Sequence, residues 1–358
     1  MTNKQAAIKV IKRLHDNGFQ ALLAGGCVRD MLTKRIASDY DVATNATPAQ
    51  IIKLFKRTLK VGAKFGVVIV LLEDKQVEVA TFRTDAGYID GRHPASVRFA
   101  DAAADASRRD FTINGMFYDP LKKEVIDYVN GQADLKNRLI RTIGDPARRF
   151  SEDYLRMLRA VRFSTQLDFA IEEQTWSAIC NNAESITKIS GERIAMELEA
   201  ILINPNRVKG LSLLIESGLA EAIFPGFSGP QAEFAVKVLA QLPRKINFAL
   251  ALASLFAEWP TEFAIEKCKT LKLSRNQNKH IKFLLANRGE LLNEQISLAK
   301  LKLMIAPDPR KAGTQLYFWD LYELQKAIQK AKADRKGLAI LSKLHKRIKS
   351  LGDIKLPK

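Results

Sequence analysis

LLAGGCVRDMLTKRIASDYDVAT, residues 22–44, joins two signals that organise the reading of the whole chain. Asp39 and Asp41 stand one residue apart in a short run, 39–44, with strand character. Side chains alternate across a strand, so both carboxylates are expected on one face, where they suit a shared hard cation such as Mg²⁺. Upstream, Gly25 and Gly26 end an apolar strand and permit close backbone approach, and Arg29 follows in a short helix beginning at Val28. A glycine turn at a helix start, a basic side chain beside it and paired acids on the next strand predict a site for metal plus phosphate. The acid pair alone carries much less, because paired acids on a strand are ordinarily just solvated.

The flanking sequence alternates helix and strand. Ile8, Ile11 and Leu14 recur at helical spacing, Asn17-Gly18 supplies a stop, and residues 19–24 form the first strand. Thr47-Pro48 reads as an N-cap with proline at the first helical position, opening a helix to about residue 57. FGVVIVLL (65–72) and QVEVATF (76–82) form a hairpin, and the polar segment RTDAGYIDGRHP (83–94) a loop. Its two arginines and one histidine suit a lid over phosphates, although a plain surface loop fits the composition equally. A helix begins at residue 102, one more strand covers 124–129, and everything after Asp145 reads as helix, beginning with 146–167. The pattern is an α+β head joined to an all-α remainder, divided near Gly144-Asp145-Pro146.

Further candidates for chemistry lie on these elements. Glu78, flanked by Val77 and Val79, is either an outward-facing strand residue or a third carboxylate beside Asp39 and Asp41, binding metal or taking a proton from a hydroxyl. Arg108-Arg109-Asp110 places two guanidinium groups and an acid before a polar turn, and arginine's planar fork suits phosphate and ribose oxygens. In RRFSEDYLRMLRAVRF (148–163), Asp153, Arg156, Arg159 and Arg162 recur at i, i+3, with Leu155, Leu158 and Val161 on the buried side. Such a stripe is often only a charged face. Yet Asp153 and Arg156 offer an acceptor and a forked donor one turn apart, which matches the edge of a base.

Composition agrees with a nucleic-acid partner. The 57 lysines and arginines exceed the 39 aspartates and glutamates, a formal charge of +18 that points to a polyanion. No apolar run is long enough to span a bilayer, which argues against a membrane. Cys27, Cys180 and Cys268 are scattered and odd in number, so neither a disulfide framework nor a thiolate zinc site is indicated. The first residues read as an amphipathic helix and not as a signal peptide, and a reducing cytoplasm is the expected location. The basic run 326–349 is ordinarily a solvated helical face; as an RNA contact it binds backbone phosphates. Tyr317, Phe318, Trp319 and Tyr322 read as helix core, and the four histidines are scattered.

Taken in order, LLAGGCVRDMLTKRIASDYDVATNATP (22–48), VEVATFRTDAGYIDGRHP (77–94), RRDFTINGMFYD (108–119), GQADLKNRLIRTIGDP (131–146), RRFSEDYLRMLRAVRF (148–163) and GERIAMEL (191–198) resemble successive motifs of one family. That family is the class II tRNA nucleotidyltransferases, the bacterial CCA-adding enzymes and their poly(A) polymerase relatives. The resemblance implies a polymerase-β-like catalytic head over residues 1–144, a nucleotide-selecting neck over 145–223, and a basic helical body and tail over 224–358 that hold tRNA. It implies that Asp39 and Asp41 hold Mg²⁺, with Glu78 as the third carboxylate. Gly25, Gly26 and Arg29 then lie at the nucleotide, Arg109 and Asp110 at the triphosphate and ribose, and Asp153, Arg156, Arg159 and Arg162 at the base of CTP or ATP. Glu192 and Arg193 resemble the helix that braces the base-reading residues.

The implied activity is template-independent addition of CCA to the 3′ end of tRNA. Addition of A alone, of C alone, or of poly(A) are the alternatives within the family. VGAKFGV (61–67) resembles the tRNA enzymes more than the poly(A) polymerases, and segment 83–94 resembles the loop needed for the final A. A non-catalytic RNA-binding protein is the alternative of a different class, and the presence of both Asp39 and Asp41 argues against it. The sequence assigns no oligomeric state.

Overall fold

The computed structural model describes residues 1–60, 62, 65–88, 94–305 and 315–352. Val61, Ala63 and Lys64, and residues 89–93 in the middle of the expected lid, lie outside the described residues. The chain divides into two compact units: Met1–Arg156 with Asp168–Asn182, and Met157–Leu167 with Ala183–Lys358. The division therefore falls inside the helical stretch that follows residue 144.

In the first unit, α1 (Asn3–His15) starts at a capping box between Thr2 and Gln5 and buries Ala6, Ala7, Val10, Ile11 and Leu14. There follow β1 (Ala21–Ala24), α2 (Gly26–Leu32), β2 (Asp41–Thr44) and α3 (Pro48–Leu54), the last opening on the expected Thr47 cap with Pro48 behind it. Then come β3 (Thr58–Leu59), β4 (Val67–Leu72), β5 (Lys75–Thr81), β6 (Arg83–Tyr88), β7 (Pro94–Phe99), α4 (Ala102–Ser107), β8 (Phe117–Asp119) and β9 (Glu124–Ile126). The unit closes with α5 (Gly131–Asn137), β10 (Leu139–Ile140), α6 (Pro146–Glu152), the start of α7 (Leu155–Leu167), β11 (Ala170–Ile171) and α8 (Glu173–Asn182).

The main sheet has the order β3-β4-β5-β2-β1-β8-β9. Within it β2 runs antiparallel to β1, with Ala24 opposite Asp41, and parallel to β5, with Val42 opposite Val79. Strand alternation sorts the core into two sides. Leu23, Val42 and Val79 pack with the buried face of α1, whereas Leu22, Ala24 and Ala43 pack with Phe82, Phe117 and the alanines of α4. Asp41 falls on the Ala43 side, at the end of the smaller cluster.

Three expectations are corrected. The second strand begins at Asp41, so Asp39 precedes it and owes its position to a loop instead of the pleat. Residues 83–88 are not loop but one arm of a two-stranded ribbon, β6 paired antiparallel with β7. Backbone ladders need no apolar alternation, which is why this polar segment carried no strand signal. The single helix expected over 146–167 is broken at Asp153, whose backbone is extended (φ −155°, ψ 103°) and whose Oδ1 accepts the Leu155 amide at 3.0 Å, capping α7.

The second unit is helical throughout, from α9 (Gly191–Leu202) and α10 (Arg207–Glu216) to eight further α-helices within residues 219–352, counted among the described residues. Helix Phe248–Leu255 is buried along its whole length, as its uniformly apolar sequence requires. Two arginines close helix ends instead of facing solvent. Arg207 donates to the carbonyl oxygens of Leu242 (2.8 Å) and Pro243 (2.6 Å), and Arg288 to those of Phe256 (2.7 Å), Ala257 (2.8 Å) and Trp259 (2.8 Å). Of the four aromatics expected in the core, Phe318 and Tyr322 are buried, whereas Tyr317 is half-buried and Trp319 is exposed. One histidine meets an acid far away in the chain: His280 Nε2 lies 3.1 Å from Asp320, under the ring of Tyr317. Forty residues of separation hid it from the sequence. No described helix is long and apolar enough to cross a membrane.

Phe82 is fully buried and meets Phe117 edge to face at 5.8 Å, on the side of the sheet that carries Asp41. Phe82→Ala is expected to cost about 3–5 kcal/mol, read as lost hydrogen-exchange protection in β1 and β2. Unchanged protection there would mean that this cluster does not support the central strands.

Candidate active site

Asn3, Asp39, Tyr40, Asp41, Ile69, Gln76 and Glu78 line a recess of about 180 Å³ at one end of the central strands. The parallel register of β2 on β5 makes it: with Val42 opposite Val79, Asp41 and Glu78 stand side by side one step earlier in each strand. Asp39 reaches the same recess from the preceding loop. There Ser38 donates to its Oδ2 at 2.9 Å, and the Asn3 amide holds the Ser38 carbonyl at 2.9 Å.

Three carboxylates in one recess repel. Burial first, then the charges of Glu78 and Asp39, push the Asp41 carboxyl up to about 6, with Arg109 pulling the other way. The Asp41 side chain is nonetheless open to solvent by area, so the shift concerns the protonation of the site more than its stability. Beneath it, burial and then Asp41 raise the Cys27 thiol to about 11, which keeps it a neutral thiol at neutral pH in the metal-free protein. Among the described residues no three His, Cys, Asp or Glu side chains form a metal cage of their own. Uncompensated hard oxygen donors that leave coordination positions open fit a cation of the Mg²⁺ type shared with a substrate's oxygens, and do not fit a soft metal.

The cationic side is a hydrogen-bonded network. Gly25, at φ +75°, holds a backbone conformation that strains an L side chain, and a Cβ there would press on Arg109 Nη1 at 3.0 Å. Arg109 is gripped by Asp105, with Nη2 to Oδ2 at 2.9 Å and Nε at 3.2 Å, and lies 4.9 Å over the Phe117 ring. Asp105 is almost wholly buried, pairs also with Arg108 at 2.7 Å, and accepts the Arg83 amide at 3.3 Å. Arg29 donates from Nη1 to Asn114 Oδ1 at 2.7 Å and from Nε to Asp30 at 2.8 Å. The Asn114 amide donates in turn to Asp110 Oδ1 at 3.3 Å, and the Asn114 carbonyl accepts from Arg109 at 3.4 Å. Asn114 thus gathers Arg29, Arg109 and Asp110 beside the Gly25-Gly26 turn.

Sequence reasoning missed both organisers, Asp105 and Asn114. Asp105 did leave a signal, an acid three and four residues before two arginines on a helix.

The expected stripe of Asp153, Arg156, Arg159 and Arg162 is not one helical face. Asp153 sits in the break before α7, and Arg156 is buried, donating to Glu152 Oε2 at 2.6 Å and to the Arg149 carbonyl at 2.7 Å. Arg159 and Arg162 belong to the second unit, where Glu197 takes both, at 3.9 Å and 2.5 Å. Glu197, on the same helix as Glu192 and Arg193, is the acid that meets both arginines. It lies on the buried face of α9 with Ile194, Leu198 and Ile201, whereas Glu192 is exposed at the helix start and meets Lys272 at 3.3 Å.

Residues 21–141 match the family model described as "Poly A polymerase head domain", and residues 168–229 the one described as "Probable RNA and SrmB- binding site of polymerase A". The chain is 43% identical over 232 residues to a CCA-adding enzyme of Lactobacillus johnsonii, covering 64% of this chain and 58% of that protein. It is 46% identical over 215 residues to that of Enterococcus faecalis, covering 60% and 52%. The match thus spans little more than half the length of these curated relatives. A crystal structure of Bacillus stearothermophilus CCA-adding enzyme in complex with CTP superimposes with a TM-score of 0.77 at 30% identity, covering 98% of this chain and 83% of that one. A Thermotoga maritima CCA-adding enzyme complexed with tRNA shares the fold, with a TM-score of 0.73 at 21% identity, covering 100% and 85%. A mixed-sheet head followed by helices, with an acid recess beside an arginine network, is the architecture of a nucleotidyltransferase. The chain belongs to the family of the CCA-adding enzymes and poly(A) polymerases.

Because the folded state holds the Asp41 proton more tightly than the unfolded chain does, its contribution to stability is full below the ordinary aspartate range and fades as pH rises through about 6. A carboxyl-carbon NMR titration of the metal-free protein is expected to find that midpoint near 6, and Glu78→Gln to move it down toward the ordinary range. A midpoint indifferent to Glu78→Gln would remove Glu78 from the cluster.

Proposed function

We propose that this chain is a template-independent nucleotidyltransferase that adds C, C and A to the 3′ end of tRNA, consuming CTP and ATP and releasing pyrophosphate. The observation that carries this reading is the side-by-side placement of Asp41 and Glu78 with Asp39 in one recess, next to the network of Arg109, Asp110 and Arg29. The names of the relatives, CCA-adding enzymes, supply the substrate class.

In this reading the 3′-hydroxyl of tRNA attacks the α-phosphate of the bound nucleotide and pyrophosphate leaves. Asp39 and Asp41 hold Mg²⁺, which when bound stabilises charge on the attacking and leaving oxygens. At neutral pH Asp41 is ionised despite its raised pKa, so both aspartates serve as oxygen donors, while Glu78 adds negative charge beside the hydroxyl. Arg29 and Arg109 present guanidinium groups to the triphosphate, and Asp110 belongs to the ribose contact. Gly25 and Gly26 let the backbone come close.

Asp153 and Arg156 present an acceptor and a donor to the base edge, and Arg159 and Arg162 complete that selection. A matched bidentate contact gives roughly 1–3 kcal/mol of discrimination against UTP or GTP. Functionally, residues 1–144 act as head, 145–223 as neck and 224–358 as body and tail, whose basic surface takes tRNA phosphates. Three free cysteines suit the reducing cytoplasm.

The test is a tRNA transcript ending at its discriminator base, incubated with CTP, ATP and Mg²⁺ and sequenced at its 3′ end. CCA ends are expected. Single A additions, C-only ends or long A tracts would replace this reading by a family alternative, and unaltered tRNA by a non-catalytic one. Asp41→Asn should lower incorporation by on the order of a hundredfold or more, and Asp153→Ala should narrow the preference for CTP over UTP about tenfold.

A further inference from the structure

We propose that Arg149 is a positioning residue that couples the two ends of the nucleotide site, so that the Arg108-Arg109 segment and Arg156 keep or lose their geometry together. The proposal rests on the assignment of Arg109 to the triphosphate and Arg156 to the base made above.

Arg149 lies on α6 and is only 8% exposed. Its Nη2 donates to the carbonyl oxygens of Arg108 (2.5 Å) and Arg109 (2.6 Å), forty residues earlier in the chain. Arg108 is the C-cap of α4, so these carbonyls stand at the negative end of that helix with no intrahelical partner. A guanidinium fork from another element satisfies both.

The same side chain reaches the other way. Its Nη1 donates to Glu152 Oε2, the atom that also takes Arg156 Nη1 at 2.6 Å, and Arg156 closes the circuit by donating to the Arg149 carbonyl at 2.7 Å. The circuit thus runs from the Arg108-Arg109 backbone through the Arg149 side chain and Glu152 to Arg156, and all of it lies within the first compact unit.

Arg109 is consequently held at two points, its guanidinium by Asp105 and its backbone by Arg149. Arg156 is held at Glu152 and at the Arg149 carbonyl, and it packs immediately after the helix break at Asp153. Only arginine can do this at position 149. A lysine ammonium keeps the charge and can meet Glu152, but its single nitrogen cannot fork between two carbonyls and a carboxylate in this planar arrangement.

The test compares Arg149→Lys and Glu152→Gln with the unaltered protein. Initial rates are measured with CTP and with UTP on the same tRNA. Hydrogen exchange is followed in peptides covering residues 105–114 and 150–158. If the two ends are coupled, Arg149→Lys lowers kcat/KM for CTP by on the order of tenfold, narrows the CTP-to-UTP ratio about fivefold, and speeds exchange in both peptides. Glu152→Gln shifts the ratio and the exchange in the same direction, and it reads the coupling should Arg149→Lys fail to fold.

Equal losses for CTP and UTP, or faster exchange in one peptide only, would overturn the proposal. An unaltered protein that incorporates no CMP would overturn the enzymatic reading instead. The exchange arm needs no turnover and judges the Arg149 circuit by itself.

Discussion

Two neighbouring strands running the same way place Asp41 and Glu78 shoulder to shoulder, and a loop brings Asp39 to the same spot. Left to themselves the three charges push apart, which is visible in the raised pKa of Asp41. What holds them is the apolar sheet: Val42 and Val79 are fully buried on the opposite side of the same two strands. A slip of one residue in that pairing would turn the acids into the core and the valines into the recess, so burial of the valines and clustering of the acids are one constraint. The arginine network answers that charge. Arg109 opposes the Asp41 shift and is itself kept in place by a buried acid, so the acid recess is followed by a guanidinium and then by Asp105 of α4.

Which parts of this were legible follows from the physics of each residue. Asp41 opens an apolar strand and Glu78 interrupts one, and an acid in that setting stands out; Asp39 was legible only by its spacing from Asp41. Asp105 showed only its spacing to Arg108 and Arg109, because an acid in an alanine-rich helix is otherwise unremarkable until tertiary packing buries it. Asn114 escaped for a similar reason, since an amide in a polar turn looks solvated and is in fact 7% exposed. The break at Asp153 has neither glycine nor proline within RRFSEDYLRML, so helical periodicity ran straight through it. Only the observed cap, an aspartate accepting the amide two residues on, reveals the new start. The β6-β7 ribbon is held by backbone pairing between polar segments, to which side-chain pattern is blind.

The large positive charge divides into two kinds once the structure is known. Arg207 and Arg288 are internal, each satisfying several carbonyls at helix ends, and burial lowers the pKa of both guanidinium groups. Arg149 is used in the same way at the end of α4. Such arginines owe their place to the five-donor fork and contribute little to a surface field. The field that faces solvent therefore comes from the exposed lysines and arginines.

The same distinction bears on α7. A row of arginines at i, i+3 on a solvated face would have water for a partner and would be interchangeable with lysine. Here each member meets a particular acid: Glu152 for Arg156, Glu197 for Arg159 and Arg162. Arg162 also stacks 4.2 Å over Phe163. Side chains anchored in this way lose little further rotamer freedom when a ligand arrives. Preorganisation of that kind is what a protein needs if fixed donors and acceptors are to stand in for a complementary strand. It is also costly in desolvation, so a merely solvated face has no reason to carry it. Half-buried Glu152 and buried Glu197, more than the arginines themselves, are what separate this helix from an ordinary charged one.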